Sequence, residues 1–280
     1  MFECRHCAFP EYRTVYNNLP DRLHQHGGSY DYIRCKRCGL LQILEVPPDI
    51  SECYSGYRLH QQDSKIYGFF RKVTIGHCYP FIESSGGKIL DIGCGNGWYL
   101  KEMEKRGWQS FGYEFDAEYA MHLSAQLNIP ILSGEESLVS YPGYFDLITF
   151  NFSFEHLLHP RRIFELACKA LIKGGSIFIS VPNIEGREAR LFGDKWFHLD
   201  PPRHITFFSQ QLLSELFLEN GFEAVEVKNL AVPTGFAGSI SYMVWGSFKP
   251  LTWFMALPPG MLFAVIIRDG NFQISGTKVR

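Results

Sequence analysis

A doubly wound, mostly parallel α/β sheet of seven strands, preceded by a small zinc-ribbon-like domain, is the fold this sequence predicts, and three observations carry it. Apolar runs alternate with helix-period segments from residue 88 onward. The first run, Lys88 to Ile92, passes directly into a turn with glycine at 93, 95 and 97. Ahead of it stand two C-x-x-C pairs, Cys4/Cys7 and Cys35/Cys38, separated by 27 residues. Such pairs let four thiolates close a tetrahedron around one zinc ion.

A chain of 280 residues fits one main domain with an appendage. Its formal net charge of -2 and pI near 6.6 leave no global basic field, so nucleic acid is excluded as an expected partner. Aromatic residues make up 15% and charged residues only 20%, which predicts an apolar pocket or surface beyond the ordinary core. The first residues show no basic segment followed by an apolar run, which predicts a cytoplasmic location. There the eight cysteines stay reduced, and metal binding or packing accounts for them.

In chain order, residues 1–45 form the expected zinc-binding head, with Cys4, Cys7, Cys35 and Cys38 as ligands. The segment between the pairs is too poor in apolar residues to make a core without the ion. The head is therefore expected to unfold alone when the ion is removed. Leu41 to Ile43 lie in its closing strand, and Pro47-Pro48 mark its end. Residues 46–86 are expected to be a helical linker, because apolar positions recur at helical spacing from about Leu59 to Ile82. Residues 87–280 form the main domain, with an apolar insertion near 229–260.

The glycine turn separates two cofactor classes. The dinucleotide fingerprint requires a third glycine where this chain has Trp98. Asp91, just before the turn, also gains nothing from a pyrophosphate. A zwitterion suits the site better, its ammonium beside Asp91 and its carboxylate on loop amides. Leu90-Asp91-Ile92-Gly93-Cys94-Gly95-Asn96-Gly97 resembles the first motif of class I S-adenosylmethionine (SAM)-dependent methyltransferases. The resemblance implies a Rossmann-like methyltransferase fold with SAM held by Asp91, Gly93, Gly95 and Gly97.

A helix from Trp98 to Arg106 leads to a second strand, Ser110 to Glu114. Glu114 is the candidate for the two ribose hydroxyls; Asp116 is the alternative, and equally can cap the helix Ala117 to Leu127. The third strand, Ile129 to Leu132, runs into Glu135, which is either close to the adenine or a solvated acid. Phe145 to Phe150 makes the fourth strand and delivers Asn151 to the ligand-bearing edge of the sheet. A helix from Pro160 to Ile172 and a fifth strand from Ser176 to Val181 follow. Residues 193–208 form a loop over the pocket, Ser209 caps a helix to Glu219, and Phe222 to Val227 is the sixth strand. The last strand is expected at Leu262 to Ile267.

The similarity sharpens along the chain. A bacterial group of methyltransferases shares the zinc head, the glycine turn, the Glu155-His156 pair, Val181-Pro182-Asn183 and the Trp196 to His204 segment. Its relatives include sugar C-methyltransferases. That resemblance implies transfer of a methyl group to a sugar or glycan, lipid-linked or soluble, in cell-surface polysaccharide synthesis. His204 is the candidate base, with a structural role for it in the loop as the alternative; His156 and Arg203 are candidates to contact substrate. Two other functions stay open: a zinc-containing binding module that transfers no methyl group, and an NAD-linked oxidoreductase. From Asn229 to Ile267 the only charged residue is Lys249. This stretch either caps the pocket or lies against the inner face of the membrane.

Overall fold

The structure, a computed structural model, describes residues 2–23, 27–48, 50, 53, 76–84 and 86–279. Most of the expected helical linker lies outside the described residues. Its described end is not helical: Gly76–Cys78 form a short 3-10 turn and the chain then extends to Ile82.

The main sheet contains β4 (Lys88–Ile92), β5 (Gln109–Tyr113), β6 (Ile131–Leu132), β7 (Phe145–Asn151), β8 (Leu171–Pro182), β10 (Phe222–Leu230) and β11 (Asn271–Lys278), in the order β10-β11-β8-β7-β4-β5-β6. Of these, β11 alone runs against both its neighbours, so the sheet is mostly parallel as expected. Strand order reverses beside β4, which opens a crevice at the carboxyl ends of β4 and β7. The helices α1 (Trp98–Glu104), α2 (Ala117–Leu127), α3 (Glu135–Val139), α4 (Pro160–Ala170), α5 (Arg187–Phe192) and α6 (Gln210–Glu219) alternate with the strands. Buried residues of β7, β8, α4 and α6, among them Phe150, Phe164, Ile179 and Phe217, form the largest part of the core.

The position of the last strand is a correction. Leu262 to Ile267 is helical, the end of α8 (Pro250–Ile267), which packs on α7 (Pro233–Trp245). The seventh strand is β11, where Phe272, Ile274 and Gly276 alternate inward. The insertion is thus a helical hairpin that leaves the sheet after Leu230 and returns at Asn271, two residues paired across β10 and β11.

The head is also more closely joined than expected. Its strands β1 (Tyr12–Pro20), β2 (Ser29–Cys35) and β3 (Leu41–Ile43) continue into β9 (Thr206–Phe207), which belongs to the main domain. Leu41 pairs with Phe207 and Gln42 with Thr206. An independent head that unfolds alone does not fit a sheet shared between both parts of the chain.

Candidate functional site

A pocket opens at the carboxyl edge of β4 and β7. Asp91, Gly93, Cys94, Gly95, Asn96, Trp98 and Tyr99 line it from the first loop and helix, and Asn151, Phe152, Glu155 and His156 from the exit of β7. Phe197, His198, Asp200 and His204 come from the long loop after α5, Val232 and Thr234 from the start of the hairpin, Tyr79 from the chain before β4, and Leu23 from the head.

The glycines serve the turn's own geometry. Gly93, Gly95 and Gly97 have φ of 77°, 57° and 72°, a region that excludes most side chains. A Cβ on Gly93 would lie 2.4 Å from that of Ser153, and one on Gly97 would lie 2.1 Å from Leu127 Cδ1. Positive φ and packing within the protein thus both disfavour a side chain at Gly93 and Gly97. The amides differ from expectation too. Gly93 and Cys94 donate to Tyr113 O, Gly97 to Cys94 O, Trp98 to Asn96 Oδ1, and Gly95 to Glu114 Oε1 at 2.5 Å. The loop is a shaped floor whose amides are largely used.

Asp91 is buried. Its Oδ1 accepts from Thr149 Oγ1 at 2.7 Å and from Asn151 Nδ2 at 2.9 Å, while Asn151 Oδ1 has no partner among the described residues. Burial raises its carboxyl to about 7, against the lowering effect of those two hydrogen bonds. Burial likewise pushes Glu114 up to about 7, opposed by the Gly95 amide. Both carboxyls hold a proton more tightly folded than unfolded, where they titrate at 3.8 and 4.5. The contribution of these two carboxyls to stability without ligand should therefore be lost as pH rises from about 4 through 7. Wild type should thus lose urea midpoint relative to an Asp91→Asn/Glu114→Gln variant across this interval; a difference that does not change with pH would contradict it.

Other expected residues fall in different places. Asp116 caps α2 by accepting from Tyr119 N at 2.9 Å, while Glu114 sits beside the glycine loop. Glu135 turns to the surface, pairs with Arg162 at 3.1 Å and is not among the residues that line the pocket. Arg203 requires a second correction. It is wholly buried between Asp200 and Asp21, with Nη2 at 2.5 and 2.7 Å from the two carboxylates, and contacts no substrate space. Asp21 belongs to the head, so this pairing was not visible in local sequence.

His156 and His204 do reach the pocket. Nδ1 of His156 donates to Arg203 O at 2.9 Å and Nδ1 of His204 to His198 O at 2.7 Å. Burial lowers both rings to about 3 and His198 to about 4, so all three are neutral at pH 7. The head fixes this corner: Tyr32 Oη donates to His204 O at 2.6 Å, and Ile43 N to Ile205 O at 2.9 Å. An aromatic wall was missed. Tyr79 meets Trp98 edge-on at 5.2 Å and Phe152 at 6.2 Å, and only Tyr79-Pro80, an aromatic held before a proline, hinted at it.

The four cysteines converge. One sulfur from each lies within 4.8 Å of the others, with Cys4 to Cys38 at 3.5 Å and Cys7 to Cys35 at 3.7 Å. Tetrahedral zinc with thiolates at roughly 2.3 Å puts its sulfurs about 3.8 Å apart, so the donor set fits that ion.

The family profile described as methyltransferase domain matches residues 74–227. The ubiquinone biosynthesis O-methyltransferase of Cronobacter sakazakii is 32% identical over 106 residues, covering 35% of this chain and 43% of that protein. This chain spans under half the length of the curated relatives it matches. A SAM-dependent methyltransferase structure from Archaeoglobus fulgidus aligns with a TM-score of 0.52 at 16% identity, covering 76% of this chain and 99% of that one. The phosphoethanolamine N-methyltransferase 2 of Haemonchus contortus, solved with phosphomonomethylethanolamine and S-adenosylhomocysteine, aligns at 0.54 with 14% identity, covering 86% of this chain and 62% of that one. At these identities the two structures show the fold.

Proposed function

This chain belongs to the methyltransferase-domain family, in the class I arrangement of its sheet, and from that premise we propose that it methylates a hydroxyl oxygen of a lipid-linked acceptor, with SAM as donor. The observation that carries the donor half is the unpartnered, buried Asn151 Oδ1 beside Asp91. Together they offer acceptors to an ammonium group, which has three N–H donors and no acceptor. Bound there, SAM supplies a methyl group already activated on a sulfonium. Glu114, next after β5 and bonded to the Gly95 amide, is our candidate for the ribose hydroxyls. Tyr79, Trp98 and Phe152 give π faces that favour nearby positive charge.

An ammonium favours the ionised form of Asp91, so SAM affinity should rise about tenfold between pH 6 and 8 as a carboxyl of pKa near 7 ionises. Calorimetry at the two pH values checks this, and Asp91→Asn should flatten the profile as well as weaken binding. A wild-type affinity that does not change with pH would remove Asp91 from the ammonium site.

The acceptor half is supported by the neutral histidines and by the hairpin. His156 and His204 face the pocket, where a neutral imidazole can take or share the proton of a hydroxyl. The relative in Cronobacter is an O-methyltransferase by name, which supports oxygen as the acceptor atom. The head and hairpin lie outside residues 74–227, and relatives that match the chain are named ubiquinone biosynthesis O-methyltransferases, which favours a hydroxyl on a lipid over one on a sugar or glycan. We assign zinc to the four cysteines on the fit of their sulfurs. Radiolabelled SAM offered with a lipid extract and with soluble nucleotide sugars tests the reading: label should enter the organic phase. Label confined to water-soluble products would overturn the lipid-linked acceptor.

The hairpin supports a place at the cytoplasmic face of a membrane. Met243, Val244, Trp245, Leu251, Phe254, Met255, Leu262, Val265 and Ile266 are each more than half exposed. Helix α8 is long and apolar enough to cross a bilayer, but both ends of the hairpin return to one edge of the sheet. Such a hairpin dips into a leaflet without carrying the chain across. Flotation with anionic vesicles should recover the protein, and Leu251→Glu with Ile266→Glu should reduce recovery at least tenfold while SAM affinity is unchanged. Equal flotation of the two proteins would sink the membrane contact.

A further inference from the structure

Glu155, His156 and His204 form a second set of metal-type donors, separate from the cysteines, and all three line the pocket. One ligand atom from each lies within 4.8 Å of the others. We propose that this cluster binds one divalent first-row transition ion, with an open coordination position toward the pocket that receives an oxygen of the acceptor. What the ion does rests on the methyl-transfer reading, in which, once bound, it would acidify the acceptor hydroxyl in place of proton transfer to the two imidazoles; that it binds does not.

Three features support the site. The carboxylate of Glu155 is 2% exposed as a residue, and its Oε2 has no partner among the described residues. A buried carboxylate oxygen without a donor is costly, and a cation removes that cost. Each histidine gives its Nδ1–H to a backbone carbonyl, Arg203 O or His198 O, which leaves Nε2 as the nitrogen carrying the lone pair. Carbonyl anchoring of this kind fixes tautomer and orientation in metal-ligating histidines. The segments are also tied together, since Glu155 and His156 share one 3-10 turn and Glu155 O accepts from Ile205 N at 2.7 Å. Two imidazoles and one carboxylate suit zinc, iron, cobalt or nickel better than magnesium or calcium, which prefer oxygen throughout. Ligands at roughly 2.1 Å would be drawn to about 3.0–3.4 Å of one another.

Cobalt(II) loading of the full chain, purified without chelator and then depleted of metal, tests the proposal. The cysteine site reports itself by intense thiolate charge-transfer absorption, and the second site adds one further equivalent without that band. Wild type should take two equivalents. Glu155→Gln, which keeps the side chain's shape, and His204→Gln should each take one, with the charge-transfer band intact and SAM affinity within about twofold. Wild type that takes only the thiolate-bound equivalent, or a Glu155→Gln variant that still takes both, overturns the site. If two equivalents bind but SAM does not, the methyl-transfer reading fails and the ion site stands.

Discussion

Arg203→Met is expected to cost about 3–5 kcal/mol of folding stability, the usual result of removing one partner from a buried charge cluster. Arg203 has no exposed surface; its Nε and Nη2 bond both oxygens of Asp200, and its Nη1 and Nη2 reach the carboxylate of Asp21. The methionine would leave two carboxylates facing each other where water does not reach them. Repulsion and desolvation then act together. The damage should extend to the pocket, because Arg203 O anchors Nδ1 of His156. Urea denaturation measures the loss as a lower midpoint at constant slope. Adding Asp21→Asn and Asp200→Asn should restore most of it, since neutralising a whole buried cluster is far milder than breaking it. A loss below about 1 kcal/mol for Arg203→Met alone would show that the cluster is solvated and that the head is held by other contacts.

The parts of the fold that were legible in the sequence are those set by local pattern. Lys88 to Gly97 announces a buried strand and a tight turn within ten residues, and β5, β7, α2, α4 and α6 follow from period and caps such as Asp116 and Ser209. The end of the chain was misassigned for a specific reason. Leu262 to Ile267 is apolar at every position, so periodicity cannot separate a strand from a helix there, and Pro258-Pro259 looked like a break. In the structure both prolines lie inside α8. The alternation of Phe272, Ile274 and Gly276 was the available signal for the true last strand.

The site divides the same way. Asp91, Asn151 and Glu114 stand at or next to strand ends, where topology delivers side chains to one edge, so their places in the fold were legible from sequence position. Arg203 and His204 are adjacent in the sequence and fall in different environments, one sealed between carboxylates and one in the pocket wall. Their difference is decided by Asp21 and Tyr32, which lie 182 and 172 residues away. No local pattern carries that information. Tyr79 and Leu23 reach the pocket for the same long-range reason.

Removing the ion assigned to Cys4, Cys7, Cys35 and Cys38 is expected to disable the acceptor side of the pocket while SAM still binds. The chain of contacts is short. Cys35 ends β2, whose Tyr32 holds His204 O at 2.6 Å; β2 pairs with β3, whose Leu41 and Gln42 pair with Phe207 and Thr206. Loss of the ion removes the restraint on the two cysteine pairs, and with it the support under residues 204–207. The glycine loop and Asp91 rest on β4, β5 and β7 and have no such dependence. A misplacement of about 1 Å at a reacting group can lower a rate by 10²-fold. Cys35→Ser, which leaves the Glu155, His156 and His204 donors in place, should therefore lose methyl transfer by about that factor while the Kd for SAM changes less than about threefold. Imidazole resonances of His156 and His204 should shift together in this variant, and heating wild type should give one transition shared by head and main domain. Full turnover in Cys35→Ser, with both histidine resonances unmoved, would show instead that the head is an appendage and that β9 holds the pocket corner without it.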